Sequence, residues 1–198
     1  MRALALPLLV FAFHGSIQPL PAPLRADLAA HRWHRGCPVP LSRLRVLTVG
    51  YWGFDGRVRN GRLVVNQAVA VPLLGVFRRL YRLHFAIRRM DPVSNSGDDT
   101  SAFDCRQAVP SPCSGASRTG HWSMHAYGEA VDLNPIENPY AGCGRTRERR
   151  SIPYLDRSHL RKGMVTPAVV AAFRSIGWGW GGDWTGTKDY MHFSANGH

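Results

Sequence analysis

The stretch Ser123–Pro135 reads SMHAYGEAVDLNP and sets His125 and Asp132 seven positions apart around a glycine, Gly128. In EAVDLN the residues alternate with the two-residue period of a strand, so Val131 and Leu133 share one side and Asp132 faces a cleft or solvent. Gly128 permits a tight turn, which lets His125 fold back toward that carboxylate. Alone, such a pair is more often a solvated aspartate and a hydrogen-bonded histidine than a functional site.

The distant stretch DYMHF, Asp189–Phe193, changes that reading by adding a second imidazole, His192, and a second carboxylate, Asp189. Two histidines, one aspartate and a spare carboxylate form the inventory of a catalytic zinc site. Zinc there takes three protein ligands and keeps a fourth position for water, whose pKa falls toward about 7. The spare carboxylate is then free to move the proton. Asp189 and His192 have opposite strand parity, so a bend is expected between them.

In their order and spacing, Ser123, His125, Gly128, Asp132, the WGWGGDW stretch and DYMHF resemble the zinc D-alanyl-D-alanine carboxypeptidase and L-alanyl-D-glutamate endopeptidase family, which cuts peptidoglycan stem peptides. The likeness runs from about Cys37 to Phe193 and is nearest to the endopeptidase-like branch. It implies an α+β fold of the hedgehog and DD-peptidase type, a small antiparallel sheet with flanking helices. It also implies Zn2+ held by His125, Asp132 and His192, with Asp189 as general base where many relatives carry Glu. Arg106 matches the arginine that holds a substrate carboxylate or polarises the carbonyl, and Ser123 a position near the scissile carbonyl. Asp183 is expected to orient a ligand histidine from behind.

Three other readings use the same residues, one of them a basic nuclease built on the same histidine and aspartate set. A Ser123–His125–Asp132 triad lacks a G-x-S-x-G elbow, crowds serine and histidine two residues apart and leaves DYMHF unexplained. A non-catalytic wall-binding zinc module keeps the ligands but has no use for Asp189. His121, His159 and His198 lack partners at a telling spacing and read as surface residues, and Trp178, Trp180 and Trp184 as core or cleft wall.

The 198 residues suit one domain, with residues 26–198 as the peptidase unit. A net charge of +12, carried almost wholly by arginine, favours anionic partners such as a cell-wall polymer and gives no pattern for specific nucleic-acid recognition. Arg2 followed by the apolar run Ala3–Phe13 has the layout of a secretory leader over residues 1–25, with Ala22 as a cleavage candidate. The run is too short to span a bilayer. A secreted or cell-wall monomer is expected. Four cysteines, Cys37, Cys105, Cys113 and Cys143, then form disulfides whose pairing the sequence leaves open.

LRVLTVGYWGF and GRLVVN read as two strands joined at DGRVRNG. An amphipathic helix follows with Val71, Leu74, Phe77, Leu80 and Tyr81 inward and Pro72 near its first turn, and FAIRRM reads as a further short strand. TPAVVAAFRSIG carries Thr166 as N-cap, Pro167 at the first helical position and Gly177 past the end. Residues 91–120 and the stretch after Pro135 show no period, and a long loop of that kind inside a domain is functional or stapled.

Overall fold

The computed structural model describes residues 12–93, 97–111, 113 and 120–198. Three antiparallel strands, β1 (Gly15–Pro19), β2 (Leu44–Trp52) and β3 (Val58–Asn66), form the larger sheet in the order β1-β2-β3. The β2–β3 connection is shorter than DGRVRNG suggests. It turns at Gly53–Arg57, and Asn60 and Gly61 lie within β3 because their partners Gly50 and Val49 continue the ladder.

Both faces of this sheet are covered. Leu47, Val49, Tyr51, Leu63 and Val65 pack with helix α2 (Gln67–Arg82), while Leu44, Val46 and Val64 pack with α1 (Ala22–His31) through Leu24 and Leu28. Asn66 caps α2 by accepting from the Ala68 N–H. Phe77, Leu80 and Tyr81 are buried as expected, but Val71 is 71% exposed, and Ala70, Leu73 and Val76 take the inner positions. The buried stripe is rotated toward Leu73 and Val76, and Pro72 occupies the exposed side, six residues into the helix.

Residues 1–11 of the expected leader lie outside the described residues. Residues 15–25 are part of the fold, because β1 pairs along β2 and Leu20 and Leu24 are buried. A cut after Ala22 would remove a hydrogen-bonded edge strand, so the folded unit includes residues ahead of position 26.

The second half carries the α+β arrangement on short strands. β4 (Ala130–Asp132) pairs with β8 (His192–Ser194), which pairs with β6 (Gly179–Trp180), and β5 (Tyr140–Ala141) pairs with β7 (Lys188–Asp189). Helix α3 (Pro167–Arg174) begins at Thr166, whose hydroxyl accepts from the Val169 N–H, and the chain leaves it through Gly177 at φ +82°. Phe193 stacks on Phe173 of α3 at 4.0 Å between ring centroids, which anchors β8 to the common core. FAIRRM forms only isolated bridges, Ala86 to Trp52 and Met90 to Thr100.

The described parts of the period-less loops are held by other means. Disulfides join Cys37 to Cys105 and Cys113 to Cys143. After β4, Asn134, Glu137 and Asn138 are fully buried. The Asn134 and Asn138 amides both donate to the Gly163 carbonyl, and Glu137 pairs with Arg88. No helix among the described residues is long and apolar enough to cross a membrane.

Candidate metal and catalytic site

Three elements bring the histidines and Asp132 together. His125 lies on a single 3-10 turn, Met124–Tyr127, whose N-cap Ser123 accepts from the His125 N–H at 3.3 Å. The turn ends at Gly128, φ +68°, where a Cβ would sit 2.7 Å from the Asn66 backbone nitrogen. Only glycine fits that contact, and the Asn66 N–H uses it to donate to the Gly128 carbonyl while the Asn66 amide donates to Tyr127. The His125 turn is thus fastened to the junction of β3 and α2.

Asp132 and His192 are cross-strand partners in the β4–β8 register. Val131 and Phe193, one position away on the two strands, are buried in the core, so the alternation turns Asp132 and His192 the other way, into the cleft. The opposite edge of β4 is held by Ser101, which exchanges both backbone hydrogen bonds with Asp132.

The donor atoms converge. Asp132 Oδ2 lies 3.1 Å from His125 Nε2, Asp132 Oδ1 lies 3.1 Å from His192 Nδ1, and the two ring nitrogens are 3.2 Å apart. Tetrahedral coordination with bonds of about 2.0–2.1 Å places ligand atoms about 3.3 Å from one another, so the spacing matches a zinc ligand set. The other ring nitrogens point to acceptors: His125 Nδ1 faces the Ala102 carbonyl and His192 Nε2 the His198 carbonyl at 3.4 Å. With protons placed there, both facing nitrogens present lone pairs toward the Asp132 carboxylate. Three acceptors meeting this way need a cation at their centre to offset their repulsion, and the donor set fits a metal. Without a metal, burial works against charge on Asp132, yet the two imidazoles hold its carboxyl well below the usual carboxylate range when their facing nitrogens carry protons, which a bound cation would displace.

The expected bend separates Asp189 from His192. β7 and β8 belong to different sheets with Tyr190 and Met191 between them, and both Asp189 and His192 line one cleft of about 300 Å³. Asp189 Oδ1 is buried without a hydrogen-bond partner, and the carboxylate accepts from the Met191 N–H. Burial, followed by the charge of Asp132, pushes the Asp189 carboxyl up to about 7 against the pull of His192 and Arg106. A buried carboxylate with an oxygen left open is placed to exchange a proton, and a cation at the three donors would draw its pKa down from that metal-free value.

Gly181, in the WGGDW stretch, makes room for it. A Cβ at that position would lie 2.5 Å from the Asp189 carbonyl oxygen and 2.8 Å from its Cβ. Arg106 and Ser123 line the same cleft. Arg106 Nε donates to Asp104 at 3.1 Å, and its carbonyl accepts from the Ser123 N–H, so the arginine and the His125 turn are joined through the backbone.

Several expectations are revised. Asp183 does not stand behind a ligand histidine. It pairs with Arg174 at 2.7 Å on the surface, and backbone carbonyls of Ala102 and His198 take the orienting task. His121 and His198 are exposed, as read from the sequence, and both also line the mouth of the cleft, where Trp184 packs against the His192 and His198 rings. Trp178 is core, as read from the sequence. The Ala102 carbonyl carried no sequence signal, because its segment has no period and is aligned by bonds to distant residues, among them Val64, His125 and Asp132. Tyr140, which pairs with Asp189 across β5 and β7, was also missed.

Residues 116–195 match the protein-family model described as D-alanyl-D-alanine carboxypeptidase. No solved structure matches the chain.

Proposed function

We propose that this chain, whose residues 116–195 match the family model described as D-alanyl-D-alanine carboxypeptidase, is an exported zinc peptidase that hydrolyses peptide bonds in peptidoglycan stem peptides. The observation that carries the reading is the meeting of His125, Asp132 and His192 donor atoms at 3.1–3.2 Å in one cleft with the open carboxylate of Asp189. His125 Nε2, Asp132 and His192 Nδ1 would hold zinc, which supplies Lewis acidity to the scissile carbonyl and the attacking water.

The protein's own groups do the rest. Asp189 Oδ1 takes the proton of the attacking water and returns it to the leaving amine, so the C–N bond breaks without expelling a bare amide anion. Arg106 binds a substrate carboxylate or the carbonyl oxygen as charge grows on it, a task suited to a guanidinium fork. Ser123 holds the His125 turn through its oxygen and offers its hydroxyl proton to substrate.

Two disulfides and an extracytoplasmic substrate class favour an oxidising location outside the cytoplasm, secreted or at the cell wall. The charge of +12 favours retention on an anionic wall polymer.

Purified protein incubated with stem pentapeptides should release products that a chelator abolishes and added zinc restores, and mass spectrometry of the products identifies the bond cut. Hydrolysis that persists after complete metal removal overturns the mechanism.

A further inference from the structure

The cleft continues past the catalytic residues. Val109, Tyr140 and Met191 line both it and an adjoining recess of about 180 Å³, which extends to Arg147 and Ser151. Tyr140 therefore stands at the junction, paired with Asp189 on one side and bordering the recess on the other.

The recess is built for an acceptor with negative charge. Arg147 is exposed and has no ion-pair partner among the described residues. Glu148, next to it in the chain and in the lining, is already engaged: its carboxylate takes the Arg150 Nε and Nη2 donors at 3.0 Å each and caps the 3-10 turn Arg149–Tyr154. Ser151 is fully buried in the lining, and its hydroxyl has no hydrogen-bond partner. A guanidinium without an ion-pair partner and an unsatisfied hydroxyl in the lining of one recess suit a carboxylate, which can accept from either.

We infer that this recess is a subsite for a carboxylate that the substrate carries away from the bond being cut, bound by Arg147 with Ser151 in support; the inference rests on the peptidase reading of the adjoining cleft. Arg106 lies in the main cleft and not in the recess, so the two arginines serve two different anionic groups. A dipeptide with one terminal carboxylate engages only one of them. The favoured substrate is therefore a longer acidic peptide that bears a second carboxylate on a neighbouring residue.

The test compares peptides of L-alanyl-D-glutamyl type carrying the free glutamyl carboxylate with the same peptides as carboxamides. Hydrolysis is measured with zinc-loaded wild type and Arg147→Gln, and binding by calorimetry to zinc-loaded Asp189→Asn protein with and without Arg147→Gln. Wild type should prefer the free acid in kcat/KM by about tenfold or more, as a charge-assisted contact implies, and Arg147→Gln should erase that preference, the loss falling mainly on the free acid. Equal handling of acid and amide by wild type overturns the subsite, as does an equal loss on both in the variant. Selective, Arg147-dependent binding without hydrolysis by wild type sustains the subsite and overturns the peptidase reading. Failure to bind either peptide overturns the subsite.

Discussion

Replacing Asp189 with asparagine separates the role of this carboxylate from that of the metal ligands. In the metal-free folded protein the Asp189 carboxyl is pushed up to about 7 from an ordinary value of 3.8, chiefly by burial and secondarily by the charge of Asp132 beside it. A carboxyl whose folded pKa is raised adds stability that is fully present below its unfolded pKa and is lost as pH rises through the folded value. Metal-free wild type should therefore lose about 2–3 kcal/mol relative to Asp189→Asn between pH 5 and pH 8, at 1.36 kcal/mol per unit of pKa. Urea denaturation of both metal-stripped proteins across that range measures the difference. Once zinc is loaded, kcat on stem peptides should fall by about 10²–10⁴-fold, the usual contribution of a general base, with zinc content unchanged. Stability curves that run parallel from pH 5 to 8 would refute the assigned burial and charge. Turnover that stays near wild type would refute the proton-transfer role.

Gly181→Ala should move Asp189, because the added methyl meets the Asp189 backbone and Cβ inside 3 Å. Misplacement by about 1 Å is enough for a loss on the order of 10²-fold in kcat, whereas zinc affinity, set by β4, β8 and the His125 turn, should change little; unchanged kcat removes Gly181 from the positioning of the base. Replacing Cys113 and Cys143 with serine opens a closure of 30 residues, worth about 4 kcal/mol in the chain-entropy model. The double variant should unfold at lower urea and raise KM more than it lowers kcat, because the bridge joins the segment carrying Val109 to the one carrying Tyr140; an unchanged midpoint would show that the loops hold without it.

Some of this was legible in the chain because it depends on local periodicity. The alternation Val131-Asp132-Leu133 turns one side chain outward whatever surrounds it, and the opposite parity of Asp189 and His192 requires a break between them. Thr166, Pro167 and Gly177 mark the ends of α3 through backbone geometry alone. Where neighbours decide, the sequence misled. The inner stripe of α2 turned toward Leu73 and Val76, and Asp183 went to Arg174 on the surface.

The types and order of the site residues were fixed by the sequence alone: two histidines, two aspartates, an arginine and the glycines that make room for them. Tertiary structure decided which nitrogen of each histidine faces Asp132, through carbonyls of Ala102 and His198 that no pattern marks. It also decided the disulfide pairs and how far the cleft runs, to Arg147 and Ser151. Periodicity says which way a side chain points from its own backbone. What it meets there depends on chain segments dozens of residues away.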